Sequence, residues 1–174
     1  KRLKAFFQID PLHSLNKRTD SSVSMIITAL EHEVEVWVGS PNNLTLNDRI
    51  AFTSGEIVLN SNLELGKTKN FRIDEFDIYF IRQDPPFDMN YLTNCYLLEL
   101  HQFYNKKPYF VNNPSGIRNF TEKIFPMYFS KFMPETIITS NIEEFRLMGK
   151  KYEDLVLKTL YLKGGEGVYK VSYN

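Results

Sequence analysis

Between Val156 and Val168 the chain reads Val-Leu-Lys-Thr-Leu-Tyr-Leu-Lys-Gly-Gly-Glu-Gly-Val. Glycine reaches backbone conformations closed to other residues, and its bare amides approach anions closely, so Gly164, Gly165 and Gly167 can form a flexible flap over phosphate oxygens. Lys158, near the end of an expected buried strand, would bring a cation to the same oxygens. An ordinary hairpin turn uses Gly-Gly just as readily, and both readings stay open. A Walker loop is excluded, because no Gly-Lys-Ser/Thr opens a helix. Lys123 begins a helical stretch, where the macrodipole favours anions; it implies an anionic partner or, as the sequence favours, a solvated side chain. Asp20, Ser21 and Ser22 cap a helix after the first strand, where open α/β sheets also take ligands. Arg82 and Asp84 stand at another strand end. There the Arg82 fork suits a carboxylate, or pairs with Asp84 to fix the Pro85-Pro86 turn.

Other chemistries find no support. His13, His32 and His101 lack ligand spacing, and a single cysteine makes structural zinc improbable. Cys95 reads as a buried, inert thiol. No Gly-x-Ser-x-Gly elbow is present. Across 174 residues, 43% hydrophobic and 24% charged, ten Tyr and fourteen Phe argue against disorder. Lys+Arg and Asp+Glu stand equal at 21, so the basic excess of a nucleic-acid binder is missing, as are acidic tails and polybasic membrane segments. No apolar run approaches the roughly 18 residues of a membrane span. The opening Lys-Arg-Leu-Lys-Ala-Phe-Phe is too short in apolar residues for a signal peptide. One cysteine fits a reducing cytosol, and a cytoplasmic protein is expected.

These residues need elements to hold them. Residues 3–9 form an apolar strand, and Val23, Ile26, Ile27 and Leu30 mark one face of a helix. Residues 34–38 give a second strand, so the three make a βαβ unit with parallel pairing. Residues 50–52 and 57–59 flank Ser54-Gly55 as a hairpin. Residues 77–81 form a strand stopped by Pro85-Pro86. A helix follows over about 90–104, with Leu92, Tyr96, Leu100 and Phe103 on one side, and residues 109–111 form a fourth short strand. Beyond 114 the texture changes. Residues 115–133 suggest short helices interrupted at Pro126, and 136–139 a strand. Ser140 and Glu143 form a capping box for a helix ending near Gly149. Residues 155–160 and 168–171 pair as a hairpin. The boundary is placed at 112–118, giving parts 1–115 and 116–174.

Taken together, the segments resemble the bacterial glutathione synthetase family of ATP-grasp ligases. The pieces that carry the resemblance span nearly the whole chain. They are Ile9-Asp10-Pro11 with Asn16-Lys17 and Asp20-Ser21-Ser22; Arg82-Gln83-Asp84-Pro85-Pro86-Phe87-Asp88; Val111-Asn112-Asn113-Pro114-Ser115-Gly116-Ile117-Arg118; Thr121-Glu122-Lys123-Ile124-Phe125; Pro134-Glu135-Thr136; and Leu157-Lys158 with Gly164-Gly165. The Asp-Pro-Pro-Phe-Asp run is the most specific.

The resemblance implies an α/β chain. A parallel-sheet, Rossmann-like pre-ATP-grasp substrate domain would be followed by the first α+β part of an ATP-grasp domain. It implies ligation of γ-glutamylcysteine to glycine: ATP phosphorylates the dipeptide carboxylate, and the glycine amine displaces phosphate from the acyl phosphate. By motif match, Lys123 and Lys158 would hold ATP phosphates under the flap at Gly164 and Gly165. Asp20, Ser21, Arg82 and Asp84 would face the substrate cleft. Two positions depart from the family pattern: Thr159 stands for proline, and Leu162-Lys163 replace a glycine, which bears on flap geometry. The family's Mg²⁺ carboxylates lie in a part that would follow residue 174, so no metal ligands are expected in this chain, and the 174 residues alone are expected not to make glutathione. Phe129, Phe132 and Met133 would lack part of their cover, which implies a partner, and a homo-oligomer is expected. Another carboxylate–amine ligase of the same fold and a non-catalytic binding or assembly module are the alternatives.

Overall fold

The computed structural model describes residues 2–172. They form two compact units: residues 2–84 with 89–118, and residues 85–88 with 119–172.

The first unit is an α/β sandwich around β1 (Lys4–Gln8). Four parallel strands run in the order β2 (Glu35–Gly39), β1, β6 (Ile78–Ile81) and β7 (Tyr109–Val111). The expected βαβ start is present, with α1 (Ser21–Glu31) crossing between β1 and β2. A strand covered on both faces needs apolar residues at successive positions, and Ala5, Phe6, Phe7 and Ile9 supply them. Ala5, Phe7 and Ile9 turn to one face, against Val23 and Ile26 of α1. Phe6 turns to the other, with Tyr79, Phe76 and Leu98 of α2 (Met89–Tyr104). Each of these large side chains contributes about 1.5–3 kcal/mol by leaving water.

Three antiparallel strands extend the sheet beyond β2: β3 (Thr45–Asn47), β4 (Ile50–Val58) and β5 (Leu65–Arg72). The hairpin expected about Ser54-Gly55 does not form, because β4 runs straight through both residues. Gly55 is there for close approach. A Cβ on it would lie 2.6 Å from Cε2 of Phe6 and 2.7 Å from the Val38 carbonyl oxygen.

The buried face of α2 also differs from expectation. Tyr96, Leu100 and Phe103 are exposed, Phe103 at 79%, and Cys95, Leu98 and His101 face the core. His101 takes a core position because both ring nitrogens are satisfied. Nε2 lies 2.8 Å from the Lys107 carbonyl oxygen, and Nδ1 accepts from the Ala51 amide at 3.1 Å. Cys95 is buried as expected, and its thiol is pushed up to about 11, chiefly by burial. A short helix, α3 (Pro114–Asn119), closes the unit's part of the chain.

The second unit holds a 3₁₀ segment (Phe125–Phe132), α4 (Ile142–Tyr152) and the antiparallel pair β8 (Asp154–Lys158) and β9 (Val168–Ser172). Pro126 lies in the first turn of the 3₁₀ segment rather than interrupting a helix, as suits a residue without an amide proton. Residues 136–139 form no strand. Ile137 and Ile138 are exposed, and among the described residues no strand lies alongside them. The cap of α4 is Asn141 rather than Ser140: its side chain accepts from the Glu143 amide at 3.0 Å. The helix passes Gly149 and ends where Glu153 turns to φ 59°. No helix among the described residues is long and apolar enough to cross a membrane.

Candidate functional site

In the first unit the carboxyl ends of β1 and β6 lie side by side, and the polar residues of both collect there. Gln8 is the one polar side chain in the buried part of β1. Its Nε2 donates to Oε1 of Gln83 at 2.6 Å, and its Oε1 accepts from the Tyr79 hydroxyl at 2.8 Å. The Asp84 amide donates to Oδ2 of Asp10 at 2.8 Å. Asp20 caps α1 as expected, with Oδ1 accepting from the amides of Ser22 (2.7 Å) and Val23 (3.2 Å). Arg82 reaches the same helix start. Its Nε donates to the Ser22 hydroxyl (3.1 Å) and a terminal nitrogen donates to Ser21 (2.6 Å). The guanidinium is therefore oriented by hydroxyls rather than by an ion pair with Asp84, which leaves its charge available to an anion. Burial, aided by Cys95, Asp84 and Asp10, pushes the Tyr91 phenol up to about 12, against the pull of Arg82.

Asp20, Ser21, Arg82 and Asp84 were all singled out in the sequence, and here they stand on neighbouring segments beyond the carboxyl ends of β1 and β6. Asp10, Gln8, Gln83 and Tyr91 were not assigned a role. The signal for Gln8 was a glutamine inside an otherwise apolar buried strand, which demands a polar partner.

In the second unit β8 and β9 pair from Asp154↔Ser172 to Lys158↔Val168, and the flap spans the residues between. Gly164, Gly165 and Gly167 have φ of 62°, 85° and 67°, the left-handed region glycine occupies without steric cost. The Thr159 amide donates to the Gly167 carbonyl at 2.9 Å, and Glu166 and Val168 donate to Lys163 and Gly165. Proline at position 159 would lack that donor, so threonine here adds a bond that closes the base of the flap. The backbone carbonyl of Leu162, which any residue there would offer, accepts from the Lys123 ammonium. Lys123 is not solvated, as its side chain is 15% exposed and Glu122 lies 3.7 Å away. Lys158 is exposed, as are Val156 and Leu157, so β8 is not the buried strand expected. Among the described residues no three of His, Cys, Asp or Glu converge as a metal would require.

Both halves of the chain match a known family. The prokaryotic glutathione synthetase N-terminal domain covers residues 3–118, and the prokaryotic glutathione synthetase ATP-grasp domain covers residues 122–174. The chain belongs to the prokaryotic glutathione synthetase family. Glutathione synthetase from Brucella melitensis is 34% identical to it, over 98% of this chain and 55% of the relative. That from Mesorhizobium japonicum is 33% identical over 97% and 54%, and that from Anaplasma centrale 34% over 97% and 53%. The chain thus spans about half the length of the curated relatives it matches. Among solved structures, D-alanyl-alanine synthetase A from Vibrio cholerae superposes with a TM-score of 0.55 at 15% identity, over 98% of this chain and 52% of that one, a likeness of fold.

Proposed function

We propose that this glutathione synthetase family chain serves the ATP-dependent ligation of γ-glutamylcysteine to glycine through an acyl phosphate. The observation that carries the reading is the consecutive match of the two family domains over 3–118 and 122–174, with the flap of the second at 159–167. The flap amides at Gly164 and Gly165, with Lys158, would hold nucleotide phosphates, and Lys123, whose ammonium has three donors, would join them while still held by the Leu162 carbonyl. Charge on the transferred oxygens is neutralised best by such fixed donors with water excluded. ATP supplies the phosphoryl group that turns an unreactive carboxylate into one an amine can attack. Asp20, Ser21, Arg82 and Asp84 would face the dipeptide, with Arg82 offering its fork to a carboxylate.

Magnesium, when bound, would supply positive charge to neutralise the phosphates. Among the described residues no three of His, Cys, Asp or Glu gather to hold it. The 174 residues alone would then bind nucleotide without turnover. A cytoplasmic setting is supported by the single, buried cysteine. Self-association is supported by the exposed α2 side chains Met89, Tyr96, Leu100 and Phe103, with Phe129 and Phe132 exposed in the second unit.

The test is a chimaera in which this chain replaces the matched part of the Brucella melitensis enzyme. Glutathione should appear with ATP, Mg²⁺, γ-glutamylcysteine and glycine. A folded chimaera that ligates other amines but not glycine would show the substrate assignment wrong. Glutathione made by the 174 residues alone would refute their proposed inactivity.

A further inference from the structure

Pro85, Pro86, Phe87 and Asp88 lie in the chain between β6 and α2, yet they pack with residues 119–172. Among them Phe87 touches the arm of the flap. The Phe87 amide donates to the Tyr161 carbonyl at 3.1 Å. The rings of Phe87 and Tyr161 lie nearly parallel, 18° apart with centroids 6.5 Å apart, within the range of favourable offset stacking. One residue on, the Leu162 carbonyl accepts from Lys123. Two successive carbonyls of the arm that leads into the flap are therefore held by two separate segments of chain. At the tip the situation reverses: a methyl group at Gly164 or Gly165 would meet nothing within 4 Å. Phe87 is half-buried and Lys123 largely buried, so neither contact is a chance meeting of solvated side chains.

We propose that Phe87 is a positioning residue for the flap: with Lys123 it holds the leading arm at Tyr161 and Leu162, so that the glycine tip alone moves when a nucleoside triphosphate is bound. Restricting motion to the tip reduces the ordering that closure requires, which is how a preformed element gains affinity. The anchoring stands on the contacts themselves. Its use in nucleotide binding rests on the reading of the preceding subsection.

The experiment is amide hydrogen exchange on the full 174-residue chain, for the wild type, Phe87→Ala, Phe87→Tyr and Lys123→Gln, without and with ATP. Without ATP, Phe87→Ala is expected to speed exchange at Thr159, Glu166 and Val168 about tenfold or more. Amides of β1 and α4 should be unchanged, and Phe87→Tyr should restore protection. Unchanged flap exchange in both Phe87→Ala and Lys123→Gln overturns the anchoring. So does equal acceleration in α4, which would mean a general loss of stability. With ATP, Phe87→Ala is expected to weaken binding about tenfold and Phe87→Tyr to recover it. Undiminished affinity in a variant whose arm has loosened overturns the positioning role. If ATP leaves wild-type exchange and calorimetry unchanged, the phosphate reading falls, and the anchoring is decided by the nucleotide-free comparison.

Discussion

Gly55 and Gly164 are the same residue used for opposite reasons. At Gly164 φ is 62° and space is open, so what matters is backbone freedom. At Gly55 the strand is regular and what matters is the missing Cβ, because the Phe6 ring and the Val38 carbonyl occupy its place. Local sequence does not distinguish them, since the atoms that crowd Gly55 come from positions 6 and 38. Gly55→Ala is therefore expected to cost about 1–3 kcal/mol through overpacking, read as a lower urea midpoint with an unchanged slope. Lys123 teaches the same lesson. Its position favoured a solvated side chain, and only the fold shows it bonded to Leu162. Lys158 is exposed. If it binds phosphate, Lys158→Ala should remove a charge-assisted contact of about 1.5–3 kcal/mol, roughly ten- to a hundredfold in the ATP dissociation constant by calorimetry. Unaltered ATP binding would remove Lys158 from the site.

The helix α2 was legible as an element, but its buried side was not. Counting apolar residues favours Tyr96, Leu100 and Phe103, whereas the core takes Cys95, Leu98 and His101. A histidine reads as polar until both nitrogens find partners, and those partners, Ala51 and Lys107, lie outside the helix. The arrangement has a pH consequence. Burial lowers the His101 pKa below its ordinary value, the Lys107 carbonyl and Asp74 pull the other way, and Arg72 adds to the lowering. The unfolded chain then takes up a proton first as pH falls below about 6.5, the ordinary histidine value. The stabilisation from neutral His101 is complete above that pH and is lost as pH drops from there through the folded pKa. Urea unfolding at pH 7 and pH 5 should show a smaller difference in His101→Gln than in the wild type. Equal pH sensitivity in the two proteins would mean that His101 does not titrate in this way.

At the scale of the whole molecule the two units differ in how much they bury. The first holds both clusters of core residues, while between residues 119 and 172 only Gly149 is buried, and Tyr128, Phe132 and Val156 are more than half exposed. Regions with little burial open at low free energy, so limited trypsin digestion should cut within 119–172 first and accumulate a fragment ending near Arg118. Initial cleavage within residues 2–84 would contradict this ranking. The sequence by itself determined what depends on near neighbours. That covers the βαβ start, the Asp20 cap, the positions of α2 and of the β8–β9 hairpin, and the glycine flap, because period, capping and turn chemistry act over a few residues. Motif order over the whole chain was equally legible and pointed to the family. Tertiary structure alone decided what depends on surfaces meeting across long stretches of chain. It ran β4 through Ser54-Gly55, turned His101 inward, held Arg82 on Ser21 and Ser22, and packed Phe87 beside Tyr161, 74 positions further on. Such contacts are chosen by burial and by the need to pair every buried polar group, quantities that no local window of sequence contains.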